Sequence, residues 1–103
     1  RLARQAVPST AWQRLGAVLA RFHRAGLWHA DLNARNVLID THDDFHLIDF
    51  DKARLRTPGK WRQANLARFH RSLAKFRDAS LAFNFLDADW NALRGGYVSA
   101  SAL

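Results

Sequence analysis

Residues 36–50 hold the pattern that most restricts the fold. Two short strand-like runs, Asn36 to Asp40 and Phe45 to Phe50, are separated by Thr41, His42, Asp43 and Asp44. Short runs joined by so tight a turn pair with each other, so the spacing predicts an antiparallel β-hairpin. On either side of it the apolar period becomes helical. Upstream, Trp12, Leu15, Leu19 and Phe22 recur at helical spacing, with Arg14, Arg21 and Arg24 on other faces. Thr10 and Gln13 stand in capping-box relation before that stripe, and Gly26 is placed to end the helix in a left-handed turn. Downstream, Leu66, Phe69, Leu73 and Phe76 mark one face of a second helix, expected over residues 61–76. A last short helix is expected from Asp87, as N-cap, to Gly95 and Gly96, burying Trp90, Leu93 and Tyr97. Residues 27–35 fit neither period, and residues 52–60, basic and carrying Pro58 and Gly59, read as a loop. The expected class is therefore α+β, mostly helical with one hairpin. At 103 residues the chain suits one domain and is too short for two.

Composition removes several classes of function. The absence of cysteine excludes a disulfide framework and a thiolate metal site. No apolar run approaches the length of a membrane span, and no apolar segment follows the basic residues Arg1 to Gln5 as a signal peptide requires. The net charge of +7, mostly from arginine, favours anionic partners: nucleic acid, acidic lipid head groups or phosphorylated substrates. Methionine and glutamate are both absent, and the chain is expected to be a piece of a longer protein.

The chemistry concentrates in His29-Ala30-Asp31-Leu32-Asn33-Ala34-Arg35-Asn36 and in Ile48-Asp49-Phe50-Asp51. Phosphoryl transfer needs magnesium to bridge the phosphates, oxygen donors to hold it, and a group that accepts the proton of the attacking hydroxyl or orients it. Asp31 and Asn36 share one loop just ahead of a strand, and Asp49 ends the next strand of the same hairpin. Neighbouring strands lie about 5 Å apart, so the hairpin is expected to return Asp49 to the side of Asn36. One base and two metal ligands would then meet in a single cleft. Taken singly, each residue has a structural explanation: Asp49 as a turn or cap residue, His29 as a packing residue, Asn36 as a strand edge. Their joint spacing carries the reading. No metal-ligand spacing with carboxylates is evident for His23, His42, His46 or His70.

The segment His29 to Asn36 resembles the H-R-D-L-x-x-x-N catalytic loop of protein kinases, and Asp49-Phe50-Asp51 resembles their D-F-G. That resemblance implies the C-terminal lobe of a kinase-like fold, with Asp31 as catalytic base, Asn36 and Asp49 as magnesium ligands, and His29 and Asn33 supporting the loop. Ala30 stands where many regulated kinases carry arginine, Asn33 where protein-serine kinases usually carry lysine, and no A-P-E follows. These departures favour a small-substrate kinase. Gly26 to Asn33, Phe45 to Asp51, Asn65 to Arg68, Arg71 to Leu73, and Trp90, Leu93, Gly96 and Tyr97 together resemble the Kdo kinase family of lipopolysaccharide-core kinases. Asp51 in place of the usual glycine is also in keeping with it.

This second resemblance implies ATP- and Mg2+-dependent phosphorylation of a hydroxyl on the Kdo sugar of a lipid A precursor. It places the protein peripherally at the cytoplasmic face of the bacterial inner membrane, where the leaflet is anionic. Arg54, Arg56 and Lys60 are the candidate acceptor contacts; a solvated basic loop is the plain alternative. A kinase also needs a phosphate-covering loop and a lysine–glutamate pair, and this chain has neither G-x-G-x-x-G nor any glutamate. Those parts are expected in an N-terminal lobe upstream of Arg1, and residues 1–103 alone are expected to be inactive. The rival expectations are a kinase of another small molecule or of a lipopolysaccharide heptose, a truncated non-catalytic fragment, and a basic nucleic-acid module. No nucleic-acid motif is present, and the aromatics fall at core spacings rather than on a stacking platform. No nucleic-acid partner is therefore expected.

Overall fold

In the computed structural model, which describes residues 7–29, 32–40, 42, 44–48, 53–57, 59–79 and 85–101, the first apolar stripe is helical from Ser9 to Arg24 (α1). Ala11, Trp12, Leu15, Leu19 and His23 are its buried face. The capping box expected from Thr10 and Gln13 does not form. The helix opens two residues earlier, behind Pro8, whose carbonyl accepts from Ala11 N at 2.9 Å, and no side chain caps it. Thr10 is thus already inside the first turn, past the position from which a hydroxyl reaches the free amides. At the other end Gly26 takes φ +82°, the left-handed turn its position predicts.

Two antiparallel pairs of strands follow. Val37–Ile39 (β2) pairs with Phe45–Leu47 (β3), with Leu38 opposite His46, which is the expected hairpin with shorter strands. Asp40 closes its turn by accepting from His42 N at 2.7 Å and Asp44 N at 3.0 Å. The other Asp40 oxygen lies 2.7 Å from His46 Nε2, and this bond, with the Asp44 amide next in weight, pulls the carboxyl down to about 2. The second pair corrects the sequence reading. Leu27–His29 (β1) pairs with Ala53–Leu55 (β4), although residues 27–35 show no period and residues 52–60 read as a loop. Three-residue strands are too short to display a period, and their partners are remote in sequence. Arg56 N donates to Gly26 O at 2.7 Å and extends this pairing into the glycine turn.

The last two helices both outrun their predicted ends. Trp61–Ala79 (α2) adds three residues to the expected span and buries Asn65, Phe69 and Leu73. Asp87–Ser101 (α3) continues straight through Gly95 and Gly96. Its N-terminus is closed by Asp89, whose carboxylate accepts from Leu86 N at 2.9 Å, and the expected cap Asp87 lies exposed in the first turn. Gly96 does not stop the helix because it packs against α1. A Cβ there would fall 2.0 Å from Gln13 O, and one on Gly16 would fall 1.9 Å from Leu93 O. Each glycine is the notch that receives the other helix's backbone. Glycine inside a helix costs about 1 kcal/mol relative to alanine, which the close approach offsets. Beneath this crossing Trp12 lies between Phe45 and Phe85, with ring centroids at 4.5 and 5.4 Å, and Phe69, Leu73 and Leu93 complete the core.

Polar groups also enter this interior, and they run toward the loop that follows β1. His23 is 2 % exposed; its Nδ1 lies 2.6 Å from Tyr97 Oη on α3 and its Nε2 lies 2.9 Å from Asn65 Oδ1 on α2. Asn65 Nδ2 donates to His29 O at 3.1 Å, so its Oδ1 faces His23 as an acceptor. The tautomer follows: His23 donates through Nε2 and accepts from the tyrosine hydroxyl at Nδ1. Burial holds the His23 pKa below the ordinary 6.5; the Asn65 bond opposes this and the nearby Arg62 charge adds to it.

Two measurements test these features. In urea denaturation Gly96→Ala should destabilise the protein by about 1–3 kcal/mol through overpacking, whereas Gly95→Ala, with open space around its Cβ, should stabilise it by about 0.5–1 kcal/mol. Equal effects at the two positions would refute the notch. For His23 the sign is set by the unfolded chain, which takes up the proton first as pH falls through 6.5. Stability should therefore decline as pH drops below that value, by a mechanism distinct from the loss of the Asp40 contribution between its ordinary 3.8 and about 2. Burial also lowers the His70 pKa, so His23→Gln should lessen the slope below pH 6.5 without abolishing it. Stability–pH curves parallel to wild type would show that His23 does not titrate this way.

Candidate functional site: the loop after β1

The loop starts at His29, the buried last residue of β1, and turns at once, with Leu32 N donating to His29 O at 3.2 Å. Leu32 is 1 % exposed and anchors the turn in the core. A single turn of 3-10 helix, Ala34–Asn36, follows, fixed by reciprocal asparagine caps. Asn33 Oδ1 accepts from Arg35 N at 2.8 Å, and Asn36 Oδ1 accepts from Asn33 N at 3.1 Å. Ala34 N donates to Ser72 Oγ at 2.8 Å and fastens this turn to α2. With Asn65 holding His29 O, α2 grips the loop at both ends.

Ile48 is where the loop and the hairpin meet. Its N–H donates to Asn36 O at 2.8 Å, one step beyond the β2–β3 pairing, and its carbonyl lies 3.1 Å from His29 Nε2. Both backbone groups of the residue before Asp49 are therefore tied to the two ends of the loop that carries Asp31. Asp31 and Asp49 themselves lie outside the described residues, as do Phe50 and Asp51. Asn36 is 3 % exposed. An amide oxygen has two lone pairs, one of which takes the bond from Asn33 N. An amide oxygen and a carboxylate are the hard donor types that a magnesium ion takes.

The proposed acceptor cations are placed differently. Arg56 lays its guanidinium over the Trp28 ring at 4.2 Å, Arg54 stands opposite Trp28 in the β1–β4 register, and Lys60 is exposed just ahead of α2. Arg54 and Arg56 are held at the second strand pair rather than at the asparagine-capped turn. Sequence reasoning missed Asn65 and Ser72 as holders of the loop. A signal was available for both: Asn65, Ser72 and Phe69 recur at helical spacing, so two polar residues interrupt an apolar stripe.

Over residues 2–97 the chain matches the lipopolysaccharide kinase (Kdo/WaaP) family. It is 49% identical over 90 residues to a 3-deoxy-D-manno-octulosonic acid kinase of Xanthomonas campestris pv. campestris, covering 86% of this chain and 36% of that protein. The protein of the same name from Xylella fastidiosa is 47% identical over 89 residues, covering 85% and 35%, and that from Xanthomonas oryzae pv. oryzae is 47% identical over 90 residues, covering 86% and 36%. The chain thus spans little more than a third of the length of these curated relatives. No solved structure matches it. With that match running nearly from end to end, and with the loop and the hairpin joined at Ile48, the chain belongs to the lipopolysaccharide kinase (Kdo/WaaP) family.

Proposed function

We propose that this chain carries the catalytic loop of an ATP-dependent kinase that phosphorylates a hydroxyl of the Kdo residue on a lipid A precursor. The observation that supports this most directly is the pair of hydrogen bonds holding Ile48 to Asn36 and His29. They brace the backbone on which Asp49 follows against the loop on which Asp31 lies. The names of the relatives favour Kdo over a heptose or another small alcohol as acceptor.

Asp31 accepts the proton of the attacking sugar hydroxyl and orients its oxygen. Asn36 and Asp49 are the residues that would hold Mg2+, which when bound neutralises charge on the transferring phosphate. His29 and Asn33 act by position: His29 fixes Ile48, and Asn33 caps the turn that presents Asn36. Arg54, Arg56 and Lys60 face the phosphates of the lipid acceptor and the anionic leaflet, near which each basic side chain contributes roughly 1 kcal/mol. Association with the cytoplasmic face of the inner membrane is peripheral in this reading. Among the described residues no helix is long and apolar enough to cross a membrane.

The test uses the protein at the full length of its relatives, with labelled ATP, Mg2+ and a Kdo-bearing lipid A precursor, beside an aminoglycoside and a protein acceptor. Label should appear on the Kdo lipid, and Asp31→Ala should lower the rate by about 100- to 10,000-fold. Transfer to another acceptor alone would keep the chemistry and discard the substrate. Transfer to none would refute the proposal.

A further inference from the structure

An open cleft of about 330 Å³ lies against the same loop, lined by Asn33, Arg35, Ser72, Lys75 and Phe76. Its construction is rigid where it matters. The reciprocal Asn33–Asn36 caps fix the turn that displays Arg35, and the Ala34–Ser72 bond fixes that turn to α2. Ser72, Lys75 and Phe76 stand at i, i+3 and i+4 along α2 and therefore share one face of it. Two cations thus border one cleft with no carboxylate among its described lining residues, and neither Arg35 nor Lys75 forms an ion pair with a described residue. The Ser72 hydroxyl, already accepting from Ala34, retains a proton to donate, and Phe76 supplies an apolar wall. A planar guanidinium beside an ammonium and a hydroxyl matches a carboxylate, which accepts two parallel N–H bonds from arginine.

We infer that this cleft binds the carboxylate of the acceptor sugar, with Arg35 as the bidentate contact and Lys75 as the second cation. The inference rests on the Kdo kinase reading and goes beyond it by naming the residues that recognise the acid. Its chemical logic is proximity. In an acid sugar the carboxylate and the reacting hydroxyl belong to one small molecule, so their binding groups must also be neighbours. Arg35 is four residues from Asp31 on the same loop. The cations near β4 are left to the more distant phosphates of the lipid. A site that holds the carboxylate orients the sugar ring and selects an acid over a neutral sugar, whose lack of charge would leave Arg35 unpaired.

The test measures KM and kcat of the full-length enzyme, as wild type, Arg35→Ala and Lys75→Ala, on the Kdo-bearing lipid and on the same lipid with the Kdo carboxyl as its methyl ester. Both side chains are exposed, so unchanged melting curves are expected for the variants. Arg35→Ala should raise KM for the acid roughly 10- to 100-fold, the weight of a lost charge-assisted hydrogen bond pair, and leave KM for ATP unchanged. Lys75→Ala should do the same to a smaller extent. The ester should carry the same penalty with wild type, and Arg35→Ala should add nothing to it. An Arg35→Ala enzyme with unaltered KM for the acid, with equal added penalties on acid and ester, or with a raised KM for ATP would overturn the inference and leave the kinase reading standing. Absence of wild-type transfer to either lipid would instead bring down the reading and the inference together.

Discussion

A neutral imidazole can accept at one nitrogen and donate at the other, and the interior holds His23 to both roles at once, between Tyr97 and Asn65. Buried polar groups are tolerable when all are paired, and a half-satisfied network is worse than an apolar core. Each partner in this one therefore constrains the next. Tyr97 fixes the rotation of α3, Asn65 that of α2, and the amide nitrogen of Asn65 sets the height of His29 O. From His29 the order passes through its ring to Ile48. The loop is positioned by this chain of directional bonds, while the apolar core around Trp12 and Phe69 supplies the driving force that keeps it dry.

The features legible in the sequence were those whose determinants are local. The hairpin was readable because Asp40 to Asp44 is a turn and its strands are adjacent, and the loop because His29, Asp31 and Asn36 lie within a few residues of one another. The β1–β4 pair was not, because Leu27–His29 and Ala53–Leu55 acquire their conformation from each other across a long separation. The same distinction explains the glycines. Gly26 acts through its own φ, which a sequence pattern can express. Gly96 acts through the backbone of Gln13, which it cannot, and the pair Gly95-Gly96 therefore read as a stop. The family resemblance was legible along almost the whole chain and is borne out by the match over residues 2–97. The polar breaks at Asn65 and Ser72 in the α2 stripe were visible in the sequence, but their partners, His29 O and Ala34 N, were visible only in three dimensions.

Division of labour between α2 and the strands explains how one short loop can serve several purposes. The strands set the spacing of the two segments that meet at Ile48, whereas α2 carries both the groups that grip the loop and, one turn further on, the groups that line the cleft beside it. Displacement of that helix would alter the grip and the cleft together. A site built on a helix holds its geometry more closely than one built on loops alone.

The Tyr97–His23 bond joins residues 74 positions apart, and the glycine notches close the same gap between the first and third helices. Contacts of such long sequence separation form late, after the entropy of closing the intervening chain has been met. During synthesis the hairpin and its turn can form as soon as they emerge, because their contacts are local. The support beneath the loop cannot be completed until α3 has left the ribosome. A nascent chain halted before Tyr97 would present the loop sequence in full and still lack the last member of the network that holds it in place.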